Sequence, residues 1–276
     1  MYMKKRELAA AICLLTVGMS QSSMAADASA TLDWGKADIS IIGIGGTEPG
    51  VTYADQATSL GANAYVPGVG SHNNNLSRVG WPTSADVFAE IDDTFAEALV
   101  SRRTLSSEAH SEAVTGPDFF DAARADSGGG LSESFSFDGP GVLSVVIPYA
   151  LEIAWDPSLC GFFECDQAFA TVSASAFYSS NDGSSSSSSN ASFSLHSFGD
   201  GTTSRSGNLV FGIFASGPGN GRLDINWSAS AFSPVKFDDF PFEAEPLLLS
   251  AVPEPETYAM MLAGLGVLVG AMRRRK

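Results

Sequence analysis

The chain has 276 residues, a formal net charge of −16 and 44% apolar residues, enough to bury a sizeable core in one or two domains and too apolar for wholesale disorder. Its acidity argues against nucleic-acid binding, because phosphates meet a surface of their own sign. Three cysteines exclude a disulfide-dense scaffold and a four-cysteine zinc site, and three histidines leave little for catalysis. The charge is uneven. Residues 1–26 and residues 253–276 each sum to +2, leaving −20 for residues 27–252.

At the N-terminus, Lys4, Lys5 and Arg6 precede an apolar run over residues 8–17, and Ser23, Met24 and Ala25 follow a polar stretch. A basic start, a short apolar run and a small-x-small site predict a secretory signal, residues 1–26, cleaved after Ala25 or Ala26. The run is too short for a stable membrane span. Signal peptidase and the secretory translocon are the partners this implies. Cys13 lies inside the run behind bulky Ile12, unlike a lipidated cysteine, and leaves with the signal.

Residues 27–232 form the body. Residues 38–44 predict a strand closed by Gly45 and Gly46, and Pro49, Pro67, Asn73, Asn74, Asn75 and Pro82 mark residues 47–83 as loop with short strands. Over residues 84–100, Val87, Phe88, Ile91, Phe95, Ala98 and Leu99 recur at helical spacing opposite Asp86, Glu90, Asp93 and Glu97. With Thr83 and Asp86 as a capping box, this predicts one amphipathic helix, the opposing reading being a strand. From Ser132 onward the pattern is of strands: residues 132–138, 142–153 with a break near Pro148, 169–178, 192–198, 209–215 and 222–232. Asn181, Asp182 and Gly183 mark a hairpin or loop, and the serine run 184–189 a flexible tip or linker. The fold class predicted is mainly β: an antiparallel β-sandwich or jelly roll with one short amphipathic helix and a C-terminal transmembrane helix. Residues 233–252, acidic and proline-punctuated, read as a tether.

Cys160 and Cys165 enclose four residues, and in an oxidising compartment such a pair forms a loop-closing disulfide worth about 2 kcal/mol. His72 falls in the Asn-rich loop, His110 in a polar segment and His196 in a strand; none has zinc-site spacing. No nucleophile elbow is present, so no catalytic residue, metal or cofactor is expected. Ile42-Gly-Ile-Gly-Gly46 lacks the third glycine of a dinucleotide fingerprint and reads as a strand end. Asp238, Asp239, Glu243 and Glu245 lack calcium-loop order and read as solvated. Asn75, Asn190 and Asn226 begin Asn-x-Ser sequons. Asp224 stands two residues before the last, and chance within a strand is the favoured reading there. Trp34, Trp81, Trp155 and Trp227 are candidates for a sugar-stacking platform, although an isolated tryptophan in a sandwich is more often core.

At the C-terminus, Val252, Pro253, Glu254 and Pro255 precede a charge-free run over residues 259–272, and Arg273, Arg274, Arg275 and Lys276 end the chain. The prolines stop a helix from extending backward. At roughly 1.5 Å per residue the run is marginal for a hydrocarbon core of about 30 Å. The basic cluster belongs on the cytoplasmic side, the acidic body outside. These residues resemble the PEP-CTERM sorting signal of exported proteins in Gram-negative bacteria that make exopolysaccharide. The resemblance covers residues 253–276 and the residues just before them. It implies an inner-membrane-anchored precursor, processed near Pro253, Glu254 and Pro255 by an exosortase-like membrane transpeptidase. The mature form would sit at the cell surface or in the matrix. The expectation is a non-enzymatic protein of an exopolysaccharide or biofilm matrix, with exopolysaccharide as a candidate ligand and no nucleic acid. The alternatives are a carbohydrate-binding module, an ice-binding protein, which would need Thr arrays where this body has scattered pairs such as Thr202 and Thr203, and a jelly-roll hydrolase.

Overall fold

The computed structural model describes residues 25–113, 122–155, 166–197 and 203–234. The basic and apolar parts of the signal, Cys160, Cys165, the tether beyond Pro234 and the whole sorting segment lie outside the described residues.

Small side chains recur at every second position, and that period builds a strand rather than a helix. In β1 (Ala25–Asp33) the buried residues are Ala26, Ala28, Ala30 and Leu32. A 3-10 turn (Trp34–Lys36) leads to β2 (Asp38–Gly43). Then follow β3 (Val51–Val66), β4 (Gly70–Val79), β5 (Ser84–Ile91), β6 (Thr94–Ser101) and β7 (Thr104–Glu112). The chain continues through β8 (Ala122–Phe137), β9 (Gly141–Ala154), β10 (Gln167–Ser180), β11 (Ser186–His196), β12 (Ser204–Ala215) and β13 (Gly219–Pro234).

All pairings are antiparallel. One sheet runs β12-β9-β1-β7-β6-β5, with β2 also on β9, and the other runs β11-β10-β13-β8-β3-β4. Their inner faces share one apolar core, as in a β-sandwich. Trp227 on β13 spans the layers, its Nε1 donating to the Ser106 carbonyl on β7 at 3.0 Å. Its ring fits because a glycine stands opposite: a Cβ on Gly129 would lie 2.2 Å from Trp227 Cζ2. β1 and β2 lie along the same side of β9, pairing with residues 149–154 and 141–146 respectively. The 3-10 turn is the excess chain between them.

Several expectations are corrected. The amphipathic helix at residues 84–100 is the β5–β6 hairpin, turning at Asp92 (φ 51°) and Asp93. The true core positions there are Ala85, Val87 and Ala89, then Thr94, Ala96, Ala98 and Val100, while Phe88 is 40% exposed. Residues 47–83 are not loop with short strands, because β3 alone has 16 residues. Pro67 marks the β3–β4 turn, and Trp81 and Pro82 lie just beyond the end of β4. Pro148 does not break β9. It lies opposite the junction of β1 and β2, where β9 is unpaired on that side and a missing N–H is tolerated. His72 sits in β4 rather than in a loop.

The serine run is not a free tip either. Residues 186–189 open β11, an edge strand of one sheet, and their hydroxyls cap the edge strand β12 of the other. Ser189 Oγ accepts from Gly212 N at 3.4 Å and Ser187 Oγ from Phe214 N at 3.3 Å. The Asn-rich run plays the same part on the opposite side. His72 Nδ1 accepts from Glu90 N at 3.3 Å, and Asn74 Nδ2 donates to the Phe88 carbonyl at 3.3 Å. Both low-complexity runs thus occupy unpaired backbone at sheet edges, where a foreign strand could otherwise add.

Candidate functional site: an aromatic cleft beside two arginines

Two of the four candidate tryptophans meet. Trp34 follows the end of β1, and Trp81 follows the end of β4. Their rings stand edge to face, centroids 5.3 Å apart and planes at 80°. Both are half-buried against the core. They wall a cleft of about 320 Å³ with Pro82. Val100, Leu105 and Leu131 form its floor, and Thr83, Ser101 and Arg102 complete its lining.

Each wall is held from below. Trp81 Nε1 donates to the Ser132 carbonyl at 3.2 Å. The preceding Gly80 has φ 87°, a left-handed conformation suited to glycine. Its N–H donates to the Gln56 carbonyl at 2.6 Å, and its carbonyl accepts from Thr58 Oγ1 at 2.9 Å. On the other wall, Gly35 N donates to the Arg103 carbonyl at 2.8 Å. A Cβ on Gly35 would come within 3.2 Å of Arg103 Cγ, so the 3-10 turn lies close against the β6–β7 turn.

That β6–β7 turn carries Arg102 and Arg103. Ser101 Oγ clamps it, accepting from Thr104 N at 2.9 Å and Arg103 N at 3.3 Å and donating to the Thr104 carbonyl at 3.0 Å. Arg102 is therefore presented from a fixed turn. Among the described residues no ion pair involves it, whereas nearby Lys36 is bound to Asp33 at 2.7 Å. Among the described residues no carboxylate side chain lines the cleft.

The remaining candidates fall elsewhere. Trp227 is core, and Trp155 packs partly buried against the core. Asn75 and Asn190 lie on the edge strands β4 and β11, and Asn226 in the interior strand β13. Ala25 and Ala26 begin β1, with Ala26 fully buried. Among the described residues no group of three His, Cys, Asp or Glu side chains is placed to hold a metal. A second depression, about 300 Å³ and lined by Asn63, Asn73, Asn75 and Asp126 among others, has no aromatic wall.

Sequence reasoning missed two features. Arg102 and Arg103 were detectable as adjacent cations in an acidic body. The other is a row of charges on the outer face of the first sheet. His110 Nδ1 bonds Asp27 Oδ1 at 2.6 Å across β7 and β1, and its ring stacks on Phe95, centroids 5.2 Å apart. That bond raises the His110 pKa, helped by the charge of Asp27 and opposed by burial. Glu97 and Glu108 stand directly opposite on β6 and β7. Burial first, then neighbouring carboxylates, pushes both above the usual carboxylate range. The misread hairpin hid this alignment.

Residues 251–276 match the family model of the PEP-CTERM protein-sorting motif. The motif implies a secreted protein processed by an exosortase, a membrane enzyme. No curated protein matches the chain. A solved structure, described as the basis for promiscuous specificity in carbohydrate-binding modules of the β-sandwich superfamily, aligns at 6% identity with a TM-score of 0.13. The alignment spans 68% of this chain and 96% of that one.

Proposed function

We propose that this chain, ending in a PEP-CTERM protein-sorting motif, is a non-enzymatic protein of the cell surface or exopolysaccharide matrix of a Gram-negative bacterium. It is exported by the secretory route, with its signal removed after Ala25 or Ala26. The apolar run before Arg273, Arg274, Arg275 and Lys276 holds the precursor in the inner membrane until an exosortase processes it near Pro253, Glu254 and Pro255. The sorting motif is the observation that carries this reading. Intact-mass measurement of the protein from cells with and without the exosortase tests it. The expected mature form lacks the terminal basic cluster only where the enzyme is present. An intact tail on the mature surface protein overturns the processing step.

A second reading concerns what the body does once exported: it binds carbohydrate in the Trp34–Trp81 cleft. The supporting observation is the meeting of two half-exposed indoles over a preformed hollow. Its volume falls near the lower end of the range of roughly 300–1,000 Å³ for small-ligand sites. Sugar rings present C–H faces that pack on aromatic faces, while their hydroxyls need polar groups at the rim. Glycan-array binding by the full chain, lost on Trp81→Ala, is the expected result; a blank array removes this reading.

A further inference from the structure

We infer that the Trp34–Trp81 cleft takes an acidic saccharide, a sugar unit bearing a carboxylate such as a hexuronate, and that Arg102 holds the carboxylate. This inference rests on the carbohydrate reading of the cleft and names its ligand class.

The polar lining decides the class. A neutral sugar offers hydroxyls that both donate and accept, and a site for it mixes side-chain donors with acceptors. Among its described lining residues this cleft offers few side-chain acceptors. Its polar side chains are Thr83, Ser101 and Arg102, and the Ser101 hydroxyl is already engaged three times within its own turn. What remains is the Thr83 hydroxyl, the Trp34 indole N–H and the donors of a guanidinium, since the Trp81 N–H is held by the Ser132 carbonyl. A donor-rich, carboxylate-free lining fits a ligand rich in acceptors, and a planar guanidinium matches a carboxylate with two parallel bonds.

The surrounding charge supports the same assignment. The body as a whole carries −20, yet Arg102 and Arg103 stand together at this turn. Among the described residues neither has a carboxylate in an ion pair. An arginine left without a partner in so acidic a protein is available to an external anion. The indoles supply the second half of recognition. Their ring planes stand at 80° in the wall of the cleft, so a pyranose can pack its C–H face on one indole while the second indole bounds the site.

Calorimetric titration of the full-length chain in detergent micelles tests this, with tetragalacturonate and its carboxyl-reduced, neutral counterpart as the two probes. The expected result is that the uronate binds about tenfold tighter or more, the difference a charge-assisted hydrogen-bond pair supplies. Arg102→Gln should collapse that ratio toward one. Arg205→Gln makes the same charge change on β12, beyond β9 and β1 from β7, and should leave the ratio standing. Equal binding of the two probes overturns the acidic class and leaves the carbohydrate reading intact. Binding of neither overturns both. A uronate preference that survives Arg102→Gln overturns the assigned site. Trp81→Ala should weaken both probes, and Trp81→Phe replaces it if the alanine variant no longer melts cooperatively.

Discussion

At the residue scale, the outer face of the first sheet couples stability to pH with a definite sign. Glu97 and Glu108 are raised by burial and by their neighbours, so the folded state holds their protons more tightly than the unfolded chain does. Their ionisation therefore costs stability. The cost is absent below about pH 4.5, the ordinary value, and fully present above the raised folded value. His110 is also raised, through its bond to Asp27. Its contribution is fully present below pH 6.5 and is lost as pH rises through the folded value. Both effects run the same way, so this face weakens from mildly acidic to alkaline pH. Glu97→Gln removes a like-charge pair directly across two strands, an interaction of about 0.2–1 kcal/mol. It should raise the melting temperature at pH 7 by roughly 1–3 °C. Thermal melts across pH check it. The gain must vanish below about pH 4.5, where the pair is protonated in both states. A gain unchanged at low pH would assign the effect to packing instead.

At the element scale, the β5–β6 hairpin shows what the sequence hides. Val87, Phe88, Ile91, Phe95 and Leu99 dominate any hydropathy pattern, and their spacing is helical. Of these the structure fully buries Val87 alone, beside Ala85, Ala89, Ala96, Ala98 and Val100, and leaves Phe88 40% exposed. Alanine weighs little in a hydropathy pattern, so a core built of small residues leaves a faint period of two. The same holds for β3, whose buried residues include Ala62, between Gly61 and Asn63, and Ala64, between Asn63 and Tyr65. Where larger residues alternate, as in residues 142–153, the strand was legible, and so was the Asn181–Gly183 turn, with Gly183 at φ 70°. The two tryptophans of the cleft were legible as candidates. Their meeting was not, because it depends on a 3-10 turn and the end of β4. A single substitution separates helix from hairpin by sign. Asp92 sits at φ 51°, where a Cβ is strained. Asp92→Gly should hold or raise stability by up to about 1 kcal/mol in the hairpin, whereas glycine inside a helix costs about 1 kcal/mol relative to alanine. Denaturant midpoints with an unchanged slope read the difference, and a clear loss would contradict the turn.

At the scale of the whole molecule, a charge of −16 is a sum over unlike parts: two ends of +2 each and a body of −20. That body repels acidic polymers at long range, while the cleft attracts a carboxylate at contact. The two forces differ in reach, so salt separates them. At 0.01 M the screening length is about 30 Å, and at 0.1 M it is about 10 Å. Over that interval the repulsion between the body and a long polyuronate is screened away. A guanidinium–carboxylate bond against two indoles acts over a few ångströms and is partly desolvated, so it loses much less. The affinity for a long polyuronate should therefore rise between about 0.01 and 0.1 M salt, where an ordinary cationic surface binder weakens. A tetramer, which extends little past the cleft and feels less of the body, should show a smaller rise or none. Polymer and tetramer titrations at the same salt steps give the comparison. A polymer affinity that falls steadily from the lowest salt would mean that the arginine turn, not the acidic body, governs approach to the matrix.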